Sequence, residues 1–419
     1  MPQSPDPTPP LPSHKVVETD RDAGGPVILQ VLPSLVSGGV ERGTVDMAAA
    51  IVEAGGRAIV ASSGGPMVRE LARAGAEHVT LPLASKNPWR IRKNADLLVG
   101  LMRREGVDLV HARSRAPAWS AWRACRRTGT PFVTTVHAHY AINLPGKRRY
   151  NSVMTRGDRV IAISNYIAGY IQENYKVDPA VIRTIPRGID VRRLDPAAVT
   201  AERVIKMARD WRLPDGVPVI AVPARLTRLK GHLVILDALA RLRIGEVRCL
   251  FIGSDQGRKR YREELEARIR KLGLESSVHI TDHCDDMASA YKLADVVVSA
   301  TTEPEGFGRV IVEAQAMGRP VIATAIGAPQ ETVIPGQTGW LVPPGDPDAL
   351  AGALEEALTL SPDQRQALAE RTIAHVREHY SRERMCDSTL DVYEELLIGR
   401  PAASQVTTQA AAHAALHPG

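Results

Sequence analysis

The sequence predicts an α/β protein with two Rossmann-like, doubly wound domains that face each other across a cleft. The chain has 419 residues, which is more than a single hydrophobic core usually holds. Apolar residues make up 44% of it and charged residues 24%, which is typical of a soluble globular protein. Strand-like apolar runs alternate with amphipathic segments, the pattern of parallel βαβ units, and this alternation occurs twice.

The first domain is predicted over residues 27–190. Its strand-like runs are VILQVL, AIVAS, HVTLPL, DLVHA, FVTTVH and RVIAIS. Amphipathic segments such as RGTVDMAAAIVEAG separate them and have helical spacing. Residues 1–26 and 399–419 are rich in proline, alanine and polar residues, so we expect both ends to be disordered.

The second domain is predicted over residues 191–382 and begins with a polar linker. The alternation then restarts with VPVIAVPA, VRCLFIG, SVHI, DVVVSA, PVIATA and GWLV. Residues 383–398 form a terminal helix whose apolar positions are too many for a helix free in solution. These positions are Met385, Leu390, Val392, Tyr393 and Leu396.

The composition indicates the cellular compartment and disfavours two kinds of cysteine site. No apolar run approaches the roughly 20 residues of a membrane span, and the proline-rich opening lacks the apolar core of a secretory signal, so we expect a cytoplasmic protein. The four cysteines stand far apart without a CxxC pair, which favours neither a zinc site nor a disulfide framework.

The positive charge is concentrated in the first domain. Residues 86–159 carry sixteen lysines and arginines against four acidic residues. One interpretation is a solvated surface, and the other is an anionic partner such as a membrane surface. Nucleic acid is disfavoured, because the chain has only three phenylalanines and no basic strand studded with aromatic residues.

Two loops that follow predicted strands carry features for binding phosphate. In open α/β sheets, ligands bind beyond the carboxyl ends of the strands. Gly39 in SLVSGGVERG precedes a helix and allows a phosphate or sugar to approach the backbone, although a plain tight turn has the same sequence. Arg225 and Lys230 in PARLTRLKGH lie five residues apart at a loop-to-helix junction, which suits a diphosphate.

The stretch TTEPEGFGRVIVE follows the buried strand DVVVSA and leads into a helix. Gly306 and Gly308 keep side chains away from the helix start, so that its free N–H groups face an anion or a hydroxyl-rich ligand. Glu305 and Glu313 supply acceptors for paired hydroxyls. The combination predicts a pocket for a nucleoside diphosphate sugar. Helix capping by Glu305 and solvation of Glu313 are the alternatives.

These segments resemble the retaining GT-B glycosyltransferases of family GT4. The segment EGFGRVIVEAQAMGRPVIAT matches the Glu-x7-Glu motif of that family almost position for position. PARLTRLKGH resembles its diphosphate loop, with Ala224 in place of the usual glycine, and SGGVERG resembles its amino-terminal glycine loop. PQETVIPGQTGWLVPPGD resembles the segment after the motif, and the resemblance covers residues 27 to about 398.

The resemblance implies a GT-B fold and a role for each matching residue. Arg225 and Lys230 would bind the donor diphosphate and Glu313 its ribose, while Glu305 would bind the hydroxyls of the transferred sugar. His137 matches the histidine near the donor sugar, although Ala138 follows it where the family has glycine. The other residues expected at the donor are Gly39, Gly306, Phe307 and Gly308.

The resemblance also implies the reaction. A sugar would pass with retention from a nucleoside diphosphate sugar to a saccharide or lipid-linked saccharide acceptor, without a cofactor or a metal, in assembly of envelope glycans or lipopolysaccharide. His111 and Arg113 are candidates for the acceptor side, and a structural role for His111 is the alternative. The terminal helix would cross back to the first domain. A non-catalytic nucleotide-sugar-binding scaffold and a GT-B sugar nucleotide epimerase remain alternatives.

Overall fold

The computed structural model describes residues 24–36 and 38–398. It contains two parallel β-sheets, each covered by helices on both faces, so the predicted fold class is confirmed. The expected disorder of residues 1–26 and 399–419 falls almost entirely outside the described residues.

The first domain is built on a seven-stranded parallel sheet in the order β3-β2-β1-β4-β5-β6-β7. The strands β4 and β5 are buried along their whole length, which explains why their sequences are apolar or small on both faces apart from His111. The short edge strand β7 was not among the predicted strands. The elements are β1 Val27–Val31, α1 Gly39–Glu53, β2 Arg57–Ser62, α2 Val68–Arg73, β3 Glu77–Thr80, α3 Pro88–Glu105, β4 Leu109–Ala112, α4 Arg115–Thr128, β5 Phe132–Val136, α5 Lys147–Asn151, β6 Arg159–Ala162, α6 Asn165–Tyr175 and β7 Ile182–Thr184.

The second domain is built on a six-stranded parallel sheet in the order β10-β9-β8-β11-β12-β13. Strand order reverses between β8 and β11, and this reversal creates the crevice in which such sheets bind ligands. The elements are α7 Ala201–Asp210, β8 Val219–Pro223, α8 His232–Leu239, β9 Arg248–Ile252, α9 Lys259–Leu272, β10 Val278–Thr281, α10 Met287–Leu293, β11 Val296–Ser299, α11 Arg309–Ala316, β12 Val321–Thr324, α12 Pro329–Thr332, β13 Trp340–Val342, α13 Pro347–Leu358, α14 Pro362–His379 and α15 Arg382–Leu397.

The terminal helix α15 packs on the first domain. Its buried residues Cys386, Val392 and Tyr393 share a core with Met47 and Ile51 of α1. The half-buried residues Met385, Leu390 and Leu396 of the same helix lie against that core.

The chain crosses between the domains at two adjacent points. The N–H of Ile189 donates to the Tyr380 carbonyl (2.9 Å), and the N–H of Arg382 donates to the Ile189 carbonyl (2.8 Å). Because both crossings lie side by side, the carboxyl edges of the two sheets face the same cleft. In the part of the chain that the structure describes, no helix is long and apolar enough to span a bilayer.

Candidate active site

Glu305 lies on the turn between β11 and α11, and its backbone is held on both sides. It pairs with Gly327 in an isolated parallel bridge, and its carbonyl accepts from the N–H of Ala328 (2.9 Å). Gly327 has φ +78°, and a Cβ there would lie 2.5 Å from the Glu305 carbonyl oxygen. No other residue fits that position without displacing Glu305.

Lys230 reaches this turn from the loop after β8. The Leu229 carbonyl accepts from the Thr301 hydroxyl and from the N–H of Thr302, both at 2.9 Å, and these bonds fasten the two loops together. As a result, Lys230 Nζ lies 2.9 Å from Glu305 Oε1, with side chains 19% and 24% exposed. The cation and the carboxylate that the sequence singled out are therefore in direct contact.

Glu313 lies on the first turns of α11, and both of its carboxylate oxygens are engaged. Tyr291 donates its hydroxyl to Glu313 Oε2 (2.8 Å), and Arg309 donates Nε to Oε1 (2.6 Å). Burial, together with the charge of Glu313, raises the pKa of Tyr291, so the phenol remains a hydrogen-bond donor. Sequence reasoning missed Tyr291, because a tyrosine in the amphipathic segment MASAYKL has the pattern of an ordinary core residue.

The remaining donor-side residues have different surroundings. Arg225 is exposed on the loop after β8. Gly308 precedes α11 in the left-handed conformation, with φ +79°. Phe307 is 5% exposed and its ring contacts Tyr380 edge to face, with 5.8 Å between centroids. The Phe307 side chain is therefore part of the core and only its backbone is available to a donor, so its place at the donor stays a prediction.

The first domain contributes His137, which follows β5. The turn of the second domain packs directly on it: a Cβ on Gly306 would lie 3.2 Å from Ala138 Cα, and Ser164 donates its hydroxyl to the Gly306 carbonyl (2.8 Å). Both ring nitrogens of His137 are shielded from solvent and have no partner among the described residues. Burial, and then the charges of Arg187 and Arg113, hold its pKa well below the usual range, so the ring is neutral.

His111 is a structural residue and not an acceptor ligand. It is fully buried in β4. Its Nδ1 lies 2.6 Å from the Tyr393 hydroxyl and its Nε2 lies 2.6 Å from Thr135 Oγ1. Because both nitrogens are engaged, the acceptor-side assignment of His111 is corrected, and its role is to link the first sheet to α15.

Arg113 and Gly39 lie close to a residue that sequence reasoning missed, Arg187. Arg113 is 5% exposed and follows β4. Gly39 is the first residue of α1, and its carbonyl accepts a hydrogen bond from Arg187 Nη2. Arg187 follows the unpredicted strand β7, so no strand context drew attention to it.

Glu331 of the second domain binds the start of a helix in the first domain. Its carboxylate accepts from the backbone N–H groups of Asn165 (2.8 Å) and Tyr166 (2.6 Å). An acidic group at a helix N-terminus is stabilised by free N–H groups and by the helix dipole. Glu331 therefore holds the two sides of the cleft together. No feature of the sequence predicts this contact, beyond the place of Glu331 in the segment after the motif.

The acidic pair Asp285 and Asp286 lies outside this cluster. Asp286 caps α10 by accepting from the N–H of Ser289 (3.1 Å), and it pairs with Arg203. Within residues 24–36 and 38–398, no group of three His, Cys, Asp or Glu side chains is arranged to hold a metal ion. That the reaction needs no metal remains a prediction.

Two family models match the chain and together cover most of it. The model described as "Glycosyltransferase Family 4" matches residues 37–193, and the one described as "Glycosyl transferases group 1" matches residues 205–375. The two matches correspond to the two domains.

Individual proteins agree with the family models. A D-inositol 3-phosphate glycosyltransferase of Corynebacterium urealyticum is 30% identical over 331 residues, which are 74% of this chain and 77% of that protein. The crystal structure of a glycosyltransferase from Rickettsia africae is 38% identical with a TM-score of 0.84, over 90% of this chain and 99% of that one. Anabaena HepE, crystallised with UDP-glucose, shares the fold with a TM-score of 0.76 at 23% identity, over 88% and 99% of the two chains.

Proposed function

The chain belongs to the family 4, group 1 glycosyltransferases, and from this premise we propose that it transfers a sugar, with retention, from a nucleoside diphosphate sugar to a hydroxyl of a saccharide acceptor. The observation that carries the proposal is the contact between Lys230 and Glu305 at the cleft. A cation that can bind phosphate beside a carboxylate that can accept from sugar hydroxyls supports the proposal, because the phosphate and the sugar are neighbouring groups in a nucleoside diphosphate sugar.

Lys230 and Arg225 bind the diphosphate in this proposal. Lys230 has a carboxylate partner in the free protein, and the incoming phosphate competes with Glu305 for it. The exchange releases Glu305 to accept hydrogen bonds from the sugar hydroxyls while Lys230 turns to the phosphate. The free N–H groups at the start of α11, after Gly308, donate to the same diphosphate.

Glu313 binds the ribose hydroxyls, and Tyr291 fixes its position. Tyr291 itself is buried and its bond to Glu313 is half-buried, whereas Arg309 is 43% exposed and its bond to the other oxygen is open to exchange. A ribose hydroxyl that replaces Arg309 finds the carboxylate already oriented.

The chemical step follows from these contacts. The bond between the anomeric carbon and the phosphate oxygen breaks, and its electron pair leaves with the nucleoside diphosphate. Lys230, Arg225 and the helix N-terminus stabilise that charge. The acceptor oxygen bonds to the anomeric carbon on the same face and passes its proton to the departing phosphate. His137 is neutral and holds a donor-sugar hydroxyl, while Gly39 allows the first domain to approach the donor closely.

A binding screen tests the donor assignment. Thermal unfolding of the full chain is measured with UDP-, GDP- and ADP-sugars, and UDP-glucose is the first candidate because HepE was crystallised with it. Stabilisation by one nucleotide class supports the proposal and names the base. If no nucleoside diphosphate or its sugar stabilises the protein, the proposed donor is wrong.

The acceptor is proposed to be lipid-linked or a lipopolysaccharide-type saccharide, with the enzyme in the cytoplasm and bound peripherally to an anionic membrane. Two basic segments both contact α4. Ser120 of α4 donates to the Ile91 carbonyl (3.1 Å) and Trp119 donates to the Tyr150 carbonyl (3.0 Å). The exposed cations beside these contacts are Lys86, Arg90, Arg92, Lys93, Lys147, Arg148 and Arg149.

Trp89 gives this basic face a second feature that suits a bilayer. Its side chain is 78% exposed at the start of α3, next to Arg90, and amphipathic aromatic rings favour the headgroup level. Each well-placed cation contributes about 1 kcal/mol of attraction to an anionic leaflet.

Vesicle binding tests the membrane assignment. Co-sedimentation is measured with anionic and neutral vesicles at low and high salt, for the wild type and for Trp89→Ala. We expect binding to anionic vesicles that salt weakens and that Trp89→Ala reduces. Equal binding to neutral and anionic vesicles at low salt would leave a soluble acceptor as the better assignment.

A further inference from the structure

A small cavity lies at the carboxyl edge of the first sheet, between α1, the ends of β4 to β7, and α15. Its charged or titratable lining is Arg113, His137 and Arg187, and two threonines and apolar side chains supply the rest. Its volume is about 20 Å³, which is room for one or two atoms the size of a water molecule.

The two arginines at this cavity lack close acidic partners. Among the described residues, no carboxylate forms an ion pair with the guanidinium of Arg113 or Arg187. Arg113 Nε has no partner, and its Nη1 has only a 3.4 Å bond to Gln30 Oε1. Arg187 donates to the Gly39 carbonyl. Glu41 and Asp46 act on these cations only through longer-range electrostatics.

A buried cation with an unsatisfied N–H group is costly to keep away from water, and Arg113 is 5% exposed with an unpartnered Nε, while Arg187 beside it is half-buried. A buried charge needs a partner, and a guanidinium remains protonated under all ordinary conditions. His137 adds two more unpartnered ring nitrogens at the same place. A neutral imidazole has one donor and one acceptor nitrogen, so His137 can accept from the donor-sugar hydroxyl with one nitrogen and donate to an oxygen in the cavity with the other.

From this geometry we propose that Arg113, Arg187 and His137 form an oxyanion subsite, separate from Arg225 and Lys230, that takes an oxygen of a substrate phosphate group. Guanidinium forks suit phosphate oxygens, and the cavity volume admits an oxygen rather than the whole group. The subsite adjoins the donor turn through His137, since a Cβ on Gly306 would lie 3.4 Å from the His137 carbonyl oxygen.

The subsite rests on the proposed function, since it assumes that a phosphate-bearing substrate enters this cleft. The phosphate has two possible sources with the same chemistry, the donor diphosphate and a phosphorylated acceptor. The affinity for a nucleoside diphosphate distinguishes the two sources. It depends on the subsite only if the donor phosphate binds there.

The test uses the full chain and inorganic phosphate as the probe. Thermal unfolding is followed during a phosphate titration, with and without a saturating nucleoside diphosphate, against chloride at matched ionic strength. The variants are Arg187→Met, Arg187→Lys and Arg113→Lys, and Arg192→Met is the control, since Arg192 is exposed five residues further on.

If an acceptor supplies the phosphate, we expect inorganic phosphate to stabilise the nucleotide-saturated wild type further, and Arg187→Met to weaken that phosphate binding about tenfold or more, as for loss of a charge-assisted hydrogen bond. If the donor diphosphate fills the subsite, inorganic phosphate adds no stability to the nucleotide-saturated protein. Arg192→Met keeps the wild-type response, and the lysine variants retain part of it. If Arg187→Met also weakens the nucleoside diphosphate itself about tenfold, the subsite holds the donor phosphate; unchanged nucleotide affinity assigns it to an acceptor phosphate.

Two results would overturn the subsite. One is a wild type that phosphate does not stabilise and whose nucleotide affinity does not depend on Arg187. The other is a variant that unfolds at lower temperature but keeps the full phosphate response, which would make Arg187 a structural partner of Gly39. If nucleotide binding persists in either case, the proposed function is unaffected. If no nucleotide binds at all, both the proposed function and the subsite are wrong.

Discussion

Replacing Lys230 by alanine tests the contact on which the donor assignment depends. The side chain is about one-fifth exposed and lies 2.9 Å from Glu305, so its charge acts in partly desolvated surroundings. Two unit charges 4 Å apart near a protein surface attract by about 4 kcal/mol. Part of this attraction is already present in the free protein as the pair with Glu305, so only the remainder is gained with the donor.

The expected loss is therefore about 2 to 4 kcal/mol of transition-state stabilisation, which is roughly a 30-fold to 1,000-fold decrease in kcat/KM. The assay follows release of nucleoside diphosphate from the donor identified by the binding screen. Turnover should fall together with kcat/KM, because the charge on the leaving phosphate develops in the transition state.

Arg228→Ala is the matched control for Lys230→Ala. Arg228 lies two residues earlier on the same turn, is 69% exposed and pairs with Glu264, away from the cleft. We expect this variant to keep wild-type kinetics. Equal kinetics of Lys230→Ala and Arg228→Ala would show that Lys230 takes no part in the reaction.

Three further predictions follow from the site. Glu305→Gln should keep the fold and bind nucleoside diphosphate while transfer is lost; an equal loss of nucleotide affinity would show that Glu305 has been given the wrong group. Glu331→Gln should raise the donor KM about tenfold or more, since it weakens two charge-assisted bonds across the cleft. The distance distribution from solution X-ray scattering should also broaden. An unchanged distribution and KM would contradict that role. Burial holds the pKa of His111 well below 6.5, so only the unfolded state gains a proton on this histidine as the pH falls below about 6.5. The free energy of unfolding should then drop by up to about 1.4 kcal/mol per pH unit. Denaturant titrations from pH 7.5 to 5 should show a shallower drop for His111→Gln, and an equal drop would contradict this.

The fold was predictable because most buried strands correspond to a short apolar run bounded by turns. The strand β7 was missed, since it has three residues and only Ile182 is buried. The helix α7 was taken as part of a polar linker, because none of its residues is fully buried and Ile205 is 56% exposed. Half of its ten residues are charged, so the composition resembles a linker although the few apolar residues have helical spacing.

The site was predictable where a contact is local to a loop and a helix start, as for Glu305 and Gly308. Contacts between distant segments were not predictable. His111 and Tyr393 are 282 residues apart, and Glu331 binds a helix start 165 residues earlier in the chain. A lone histidine or glutamate carries no sign of its partner, so their structural roles emerged only from the packing.

The central claim is the orientation of the donor, and a crystal structure of the full chain with the stabilising nucleoside diphosphate sugar tests it most directly. The account predicts the diphosphate against Lys230 and Arg225, the ribose hydroxyls on Glu313, and the sugar hydroxyls on Glu305, with the pair between Lys230 and Glu305 opened. A nucleotide bound in the reverse orientation, or outside the cleft with that pair intact, would contradict it.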